Sequence, residues 1–266
     1  MVRGSVAVGD FVELEETRGG TPRVDAVGPR RNALTRTDPA NPHEERVIAA
    51  NLDSAVIVLA PRDGVAREGM ADRIRIALAR HDVDDLPVIN KVDLLEPAQR
   101  AELDVRLAAH AASGRDTLAV SVLTGEGVTE LHAALAGRTV ALVGPSGVGK
   151  STLLNALDPT SDRATGEVRE KDGKGRHTTT SSRLVRLPGG ARWIDTPGVR
   201  QFGLGLLGLD DLRVAFPELV VRATDCRFGD CRHLGEEGCA LDAAARSDGH
   251  LAERLVAWRR ILEGDG

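Results

Sequence analysis

Three groups of residues in this chain combine types and spacings that can do chemistry. Gly144-Pro145-Ser146-Gly147-Val148-Gly149-Lys150-Ser151 is a G-x4-G-K-S loop. Glycines so placed let backbone N–H groups wrap a β-phosphate, while Lys150 reaches the β- and γ-phosphates and Ser151 can ligate Mg²⁺. Asn90-Lys91-Val92-Asp93 is an N-K-x-D box. Its aspartate can accept hydrogen bonds from guanine N1–H and the 2-amino group, donors that adenine lacks. A site built for that pair strongly penalises a base without them. Asn90 suits the O6/N7 edge, and the Lys91 stem can cover the ring. Taken alone, the box reads equally well as a charged turn after a strand. Beside a phosphate loop it favours GTP over ATP. The third group, Cys226, Cys231, His233 and Cys239, is spaced C-x4-C-x-H-x5-C.

The order of the first two groups carries information of its own. Ordinary GTPases place the phosphate loop ahead of the guanine box, and this chain reverses them, which implies a circularly permuted GTPase. The remaining nucleotide-site candidates fit that reading. Ser121, at the end of the strand after the box, lies where GTPases place a backbone contact to guanine O6. In Asp195-Thr196-Pro197-Gly198, Asp195 suits the Mg²⁺ side and Gly198 the γ-phosphate. Thr152 opens the helix behind the loop and joins the nucleotide-binding set. Between phosphate loop and D-T-P-G lie Thr178-Thr179-Thr180. A switch threonine there contacts Mg²⁺ and γ-phosphate, with Thr178 and Thr179 the candidates; the bland reading is a solvated loop. Val199 follows Gly198, where many GTPases carry a water-orienting glutamine. Valine cannot orient water, so His177 is the nearest candidate for that task, the alternative being a polar switch residue.

Three thiolates and one imidazole form a closed tetrahedral zinc set with no open position for a catalytic water. The alternative is three buried free cysteines beside an unrelated histidine. An odd cysteine count in a cytoplasmic chain argues against disulfides. Structural zinc is therefore expected, holding together a small C-terminal unit with too little core to fold alone.

These residues need elements to position them. Ala55 to Leu59 is a continuous apolar run, as expected of a strand buried on both faces. Met70, Ile74, Ala77 and Leu78 follow at helical spacing. Leu86 to Ile89 reads as a strand ending on the guanine box, and Pro97 to Ala111 as a helix with proline near its start. Thr117 to Val120, Thr139 to Val143, Leu184 to Leu187 and Arg192 to Ile194 read as further strands, with helices at Val128 to Leu135 and Thr152 to Leu157. Strands alternating with helices argue for an α/β fold with a mostly parallel sheet. Residues 1–37 carry short alternating segments, Val6-Ala7-Val8 and Phe11-Val12-Glu13-Leu14, and Asp38 to Pro42 reads as a linker. Asp158 to Ser182 is long and polar, a functional loop. Leu251, Leu255, Trp258 and Leu262 make one stripe of a C-terminal amphipathic helix.

Composition excludes several classes. At 266 residues the chain can bury a sizeable core, and its 41% hydrophobic content is ordinary for a globular protein. No apolar run approaches the roughly 20 residues that span a bilayer, and Met1 to Asp10 lacks a signal-peptide core. A cytoplasmic location is expected. A net charge of -5 with no tyrosine and 4 phenylalanines gives no bulk signature of nucleic-acid binding. The chain has just Lys91, Lys150, Lys171 and Lys174 as lysines, and two of these sit in the nucleotide boxes. Where arginine serves, arginine is used, so Lys91 and Lys150 look chemically required.

The permuted boxes, Gly175-Arg176-His177-Thr178-Thr179-Thr180 and C-x4-C-x-H-x5-C together resemble the bacterial ribosome small-subunit-dependent GTPase A family, the YjeQ-type permuted GTPases. Arg46-Val47-Ile48-Ala49-Ala50-Asn51-Leu52-Asp53 and Gly198 to Leu204 look like that family's segments too. The resemblance covers roughly residues 38 to 262. It implies an N-terminal OB-fold, a permuted GTPase domain and a C-terminal, mainly helical zinc domain, here bounded at 1–37, 38–208 and 209–266. An OB-fold needs five strands, and residues 1–37 have room for about three, so a partial OB-like β element is expected. The resemblance also implies a late maturation factor of the 30S ribosomal subunit that touches 16S rRNA. Such a factor binds in the GTP form, hydrolyses GTP there and leaves. Zinc falls on Cys226, Cys231, His233 and Cys239, the catalytic histidine on His177. A monomer is expected.

Overall fold

The computed structural model describes residues 6–16, 20–38, 41–62, 65–66, 68–112, 116–145, 147–158, 183–195 and 209–263, a few of them by backbone alone. In chain order the elements are Val12–Glu15 (β1), Arg23–Val27 (β2), Ala33–Asp38 (β3), Asn41–Ala50 (β4), Ser54–Leu59 (β5), Pro61–Arg62 (β6), Val65–Ala66 (β7) and Glu68–Ala79 (α1). Asp85–Asn90 (β8), Pro97–Ala112 (α2), Leu118–Val120 (β9), Val128–Leu135 (α3), Thr139–Val143 (β10) and Lys150–Leu157 (α4) follow. Arg183–Arg186 (β11), Arg192–Asp195 (β12), Leu209–Ala215 (α5), Pro217–Ala223 (α6), Ala240–Ala245 (α7) and Gly249–Leu262 (α8) complete the chain. Contacts divide it into two units, one of Met1–Arg67 and His81–Phe202, the other of Glu68–Arg80 and Gly203–Gly266.

The first unit is built on a six-stranded sheet in the order β11-β12-β10-β5-β8-β9. Every pairing from β12 to β9 is parallel, and β11 alone runs antiparallel to its neighbour. All residues of β5 and β10 are buried, which explains their unbroken apolar character: helices and loops cover both faces. Val56, Val58, Val88, Val140, Leu142, Leu153, Leu157 and the fully buried Trp193 belong to one core cluster. Parallel strands share one carboxyl edge, where α/β sheets bind ligands. Asn90, Ser121, Gly144 and Asp195 all follow or end such strands.

The N-terminal part of this unit is two hairpins, β1 with β2 and β3 with β4. Two expectations change here. Val6 to Val8 is not a strand: Asp10 accepts the Ala7 N–H through Oδ2 at 2.8 Å, and Asp10 N–H donates to Ala7 O, closing a turn instead. Asp38 pairs with Asn41, so the stretch read as a linker falls inside the β3–β4 hairpin.

A polar corner joins the hairpins to the sheet. The Asn32 amide donates to Leu52 O at 2.9 Å and accepts Leu52 N–H at 2.8 Å. Asn51, left-handed at φ 56, accepts Arg31 N–H and donates to Gly9 O. Asp53 accepts Thr139 N–H at 2.7 Å at the start of β10, and Arg31 beside it holds the other carboxylate oxygen. That network is what Asn51-Leu52-Asp53 does in the fold.

The second unit gathers α1 with α5 to α8. Ile76, Leu212, Phe216, Leu219, Leu241, Leu251, Leu255, Trp258 and Ile261 form its core. Asp248 caps α8 by accepting His250 and Leu251 N–H groups. The buried stripe of α8 runs through Leu251, Leu255, Trp258 and Ile261, and Leu262, partly buried, packs against the same core. Arg254 is also buried. Its guanidinium donates to both oxygens of Asp72 at 2.6 and 3.0 Å, to Glu218 at 2.6 Å and to Ala215 O at 3.0 Å. It also lies over the Phe216 ring, 4.4 Å from its centre. Among the described residues no helix is long and apolar enough to cross a membrane.

Candidate nucleotide site and metal-ligand cluster

The parallel sheet brings the reversed boxes together. Asn90, at the end of β8, is 2% exposed and its side-chain amide donates to Val148 O at 2.8 Å. Lys91 Nζ donates to Gly147 O at 2.7 Å. Two residues of the guanine box thus hold two carbonyls of the phosphate loop across 56 to 58 positions of sequence. Lys91 takes a left-handed backbone, φ 63, which starts the tight turn Val92–Leu94. A non-glycine residue there stores local strain.

Glycine is required at two loop positions for different reasons. Gly144 has φ 140, and a Cβ on it would collide with the Val58 carbonyl oxygen of the neighbouring strand. Gly149 has φ 91, and its Cβ would lie 2.5 Å from the Asn90 amide nitrogen. Close approach between loop and guanine box therefore depends on a missing side chain. Val148 is buried in the sheet core and anchors the loop from below. Lys150 Nζ donates to Gly144 O and Pro145 O at 2.8 and 2.6 Å, holding its ammonium within the loop's curve. Ser151 and Thr152 open α4 with exposed side chains.

Ser121 does more than its backbone. The side chain is fully buried, and Oγ–H donates to Asp93 Oδ1 at 2.5 Å. Ser121 N–H donates to Glu126 O at 2.9 Å, Gly125 N–H to Ser121 O at 2.9 Å, and Thr124 N–H to Ser121 Oγ at 3.2 Å. One oxygen of Asp93 is thereby fixed, and among the described residues the other accepts no hydrogen bond. Asn90 Oδ1 is buried and likewise has no partner. A buried carbonyl left this way costs roughly 1–3 kcal/mol. The open Asp93 oxygen suits a base edge that carries donors, and the second N–H of the Asn90 amide is what can reach an acceptor on the base.

Asp195 ends β12 beside β10, opposite Leu142, with its backbone alone described. Ser146, His177, Thr178, Thr179 and Gly198 lie outside the described residues, as do the loop 159–182 and the link 196–208.

In the second unit the ligand atoms of Cys226, Cys231, His233 and Cys239 all lie within 4.8 Å of one another. Zn–S bonds of about 2.3 Å at tetrahedral angles put sulfurs about 3.8 Å apart, so small adjustments accommodate the ion. His233 Nδ1 is 3.6 Å from Cys226 Sγ and 3.7 Å from Cys239 Sγ. Its backbone is left-handed, φ 65, and Arg259 of α8 pins its carbonyl at 2.6 Å. The Trp258 ring meets the imidazole edge-on at 5.6 Å. Burial pushes the Cys231 thiol up to about 12, with the neighbouring sulfurs adding to the rise. Burial also lowers His233, keeping a neutral lone pair available. Thiols so placed keep their protons unless a cation replaces them, the chemistry of a soft-metal site. The four donors can hold a metal ion.

Reading the sequence located these ligands but missed what orients them. Nothing in residue type marks Arg259 or Trp258 as supports of His233, and Ser121 drew attention for its backbone alone. The turn signals Gly125 and Gly127 were the available hint that a tight loop follows Ser121.

A mostly parallel sheet with the guanine box on β8, upstream of a phosphate loop on β10, defines a circularly permuted GTPase. The RsgA GTPase family matches residues 27–205, and the chain belongs to that family. It is 38% identical over 258 residues to a protein of Pseudomonas aeruginosa named small ribosomal subunit biogenesis GTPase RsgA, covering 97% of this chain and 75% of that one. It is 37% identical over 266 residues to the protein of the same name from Porphyromonas gingivalis, covering 98% and 84%. The crystal structure of YjeQ from Thermotoga maritima superposes with a TM-score of 0.72 at 25% identity, covering 99% of this chain and 88% of that one. YloQ, a circularly permuted GTPase, shares the fold with a TM-score of 0.69 at 22% identity, covering 98% and 82%.

Proposed function

We propose that this chain is a GTP-hydrolysing assembly factor in late maturation of the 30S ribosomal subunit, which it binds in the GTP form and leaves after hydrolysis. The observation that carries the reading is the pair of bonds from Asn90 and Lys91 to the phosphate loop, which make one guanine-nucleotide site out of reversed boxes. Relatives named for small-subunit biogenesis support the choice of partner.

In this reading Asp93, oriented by Ser121, accepts guanine N1–H and the 2-amino group, and Asn90 meets the O6/N7 edge. The backbone of Gly144 to Gly149 wraps the β-phosphate. Lys150 exchanges its loop carbonyls for phosphate oxygens. Ser151 and Asp195 are the residues that would hold Mg²⁺, and Thr178 or Thr179 would join them from the switch. When bound, Mg²⁺ neutralises phosphate charge, and zinc on Cys226, Cys231, His233 and Cys239 holds the small C-terminal unit together. With valine at 199, His177 positions the attacking water, and turnover is slow until the subunit orders the switch. The protein acts as a monomer in the cytoplasm and touches 16S rRNA.

The test is phosphate release from GTP by the full chain, alone and with purified 30S or 50S subunits. Stimulation by 30S alone is expected. Stimulation by 50S alone, or equal 30S affinity of the GTP and GDP forms, would overturn the assignment.

A further inference from the structure

Asp93 can discriminate between bases only if its carboxylate is held in the plane of the ring. Ser121 holds it, and Ser121 in turn depends on the loop 121–127. The outer limb of that loop gains little from burial: Leu123, Thr124, Gly125 and Glu126 are all exposed, Leu123 at 83%. Hydrogen bonds must fix its shape. Four are internal, from Ser121 N–H to Glu126 O, from Gly125 N–H to Ser121 O, from Thr124 N–H to Ser121 Oγ and, longer at 3.4 Å, from Glu126 N–H to Thr124 Oγ1. A fifth contact comes from a different element. Arg100, on the first turn of α2, donates Nη2 to Glu126 Oε1 at 2.6 Å, while its Nε donates to Asp104 Oδ1 at 2.9 Å on the same helix.

We propose that Arg100 is a positioning residue for base selection. Through Glu126 it tethers the loop whose Ser121 hydroxyl orients Asp93. The inference rests on the reading of Asp93 as the guanine-selecting carboxylate. The path is continuous: α2 guanidinium, Glu126 carboxylate, Glu126 backbone carbonyl, Ser121 amide, Ser121 hydroxyl, Asp93. Asp104 shares the guanidinium and keeps it extended along α2, but has no route to the loop. Exposed ion pairs are individually weak. The effect on selectivity is therefore modest, about two- to fivefold, and it is screened by salt.

The measurement is the dissociation constant of the full chain for GDP and for inosine diphosphate, which lacks the 2-amino group, by titration calorimetry. Glu126→Gln and Arg100→Ala are expected to shrink the preference for GDP about two- to fivefold by weakening GDP, which gives Asp93 two donors, more than inosine diphosphate, which gives it one. Asp104→Ala, which leaves the Glu126 contact in place, is expected to keep the wild-type ratio. Raising salt to about 0.5 M should lower the wild-type ratio toward that of Glu126→Gln and leave the variant's own ratio unchanged. Merely structural damage would lower the thermal midpoint and weaken both nucleotides in proportion, and that result overturns the proposal. So does a wild-type ratio in Glu126→Gln when Ser121→Ala has lost it. Asp93→Ala separates the two levels of argument: an unchanged ratio there refutes the reading of Asp93, whereas a collapsed ratio with Glu126→Gln unaffected refutes the tether alone.

Discussion

Replacing Asp72 with alanine should destabilise the second unit selectively. Asp72 is 1% exposed and Arg254 is 5% exposed, so their bidentate contact lies away from water. Breaking a buried pair by removing one partner costs about 3–5 kcal/mol, because the other charge stays buried without compensation. Here compensation is partial. Glu218, Ala215 O and the Phe216 ring still hold the guanidinium. The expected loss is about 2–3 kcal/mol, at or just below the lower end of that range. The two tryptophans make the assay local, since Trp193 lies in the sheet core and Trp258 in the core of the second unit. In a Trp193→Phe background, urea unfolding followed by fluorescence reports the second unit alone. Asp72→Ala should lower its midpoint, and Asp72→Ala with Arg254→Met should recover part of the loss, since the Arg254 charge is gone while Arg75, 3.4 Å from Asp72, and Glu218 keep theirs. An unchanged midpoint in Asp72→Ala, or a double variant less stable than the two single losses summed, would refute the reasoning.

Three further outcomes are expected. Gly149→Ala forces a Cβ against the Asn90 amide in a left-handed backbone, so GDP affinity should fall about tenfold or more, corresponding to about 1.4 kcal/mol or more, as equilibrium titration would show. Metal chelators should release one zinc per chain and broaden the second unit's urea transition, with atomic absorption and Trp258 fluorescence as the readouts. The Arg30 guanidinium holds the Asp10 carboxyl below its ordinary value of 3.8. That stabilisation is complete above 3.8 and disappears as pH falls through the lowered value, so Asp10→Asn should lower the thermal midpoint at pH 7 and match wild type progressively below pH 3.8.

The sheet was legible because strands buried on both faces leave unbroken apolar runs, as in Ala55 to Leu59 and Thr139 to Val143. The ligand sets were legible because phosphate, guanine and metal each demand particular residue types at short spacing. Helix α1 shows where this kind of reading stops. Met70, Ile74, Ala77 and Leu78 announce an amphipathic helix, but periodicity says nothing about which core receives it. Ile76 goes into the core of the second unit, and Asp72 meets a partner that local pattern cannot name. The hairpin at Asp38 and Asn41 escaped for a different reason: proline-rich composition suits a turn and a linker equally, and strand pairing decides between them. Contacts such as Ser121 with Asp93 depend on two strands ending side by side, a fact of register and not of composition.

The same helix constrains how the molecule is made. Asp72 and Arg254 stand 182 residues apart in the chain. At about 5–20 residues per second, a ribosome completing the chain leaves Asp72 waiting roughly 10–35 seconds for its partner. Five of the sheet's six strands, all but β5, are synthesised within that interval. Helix α1 thus waits through most of the chain's synthesis before the arginine that pairs its buried carboxylate exists. A cut near residue 208 would make that delay permanent, leaving in each fragment one half of a charge pair that the other half was built to bury.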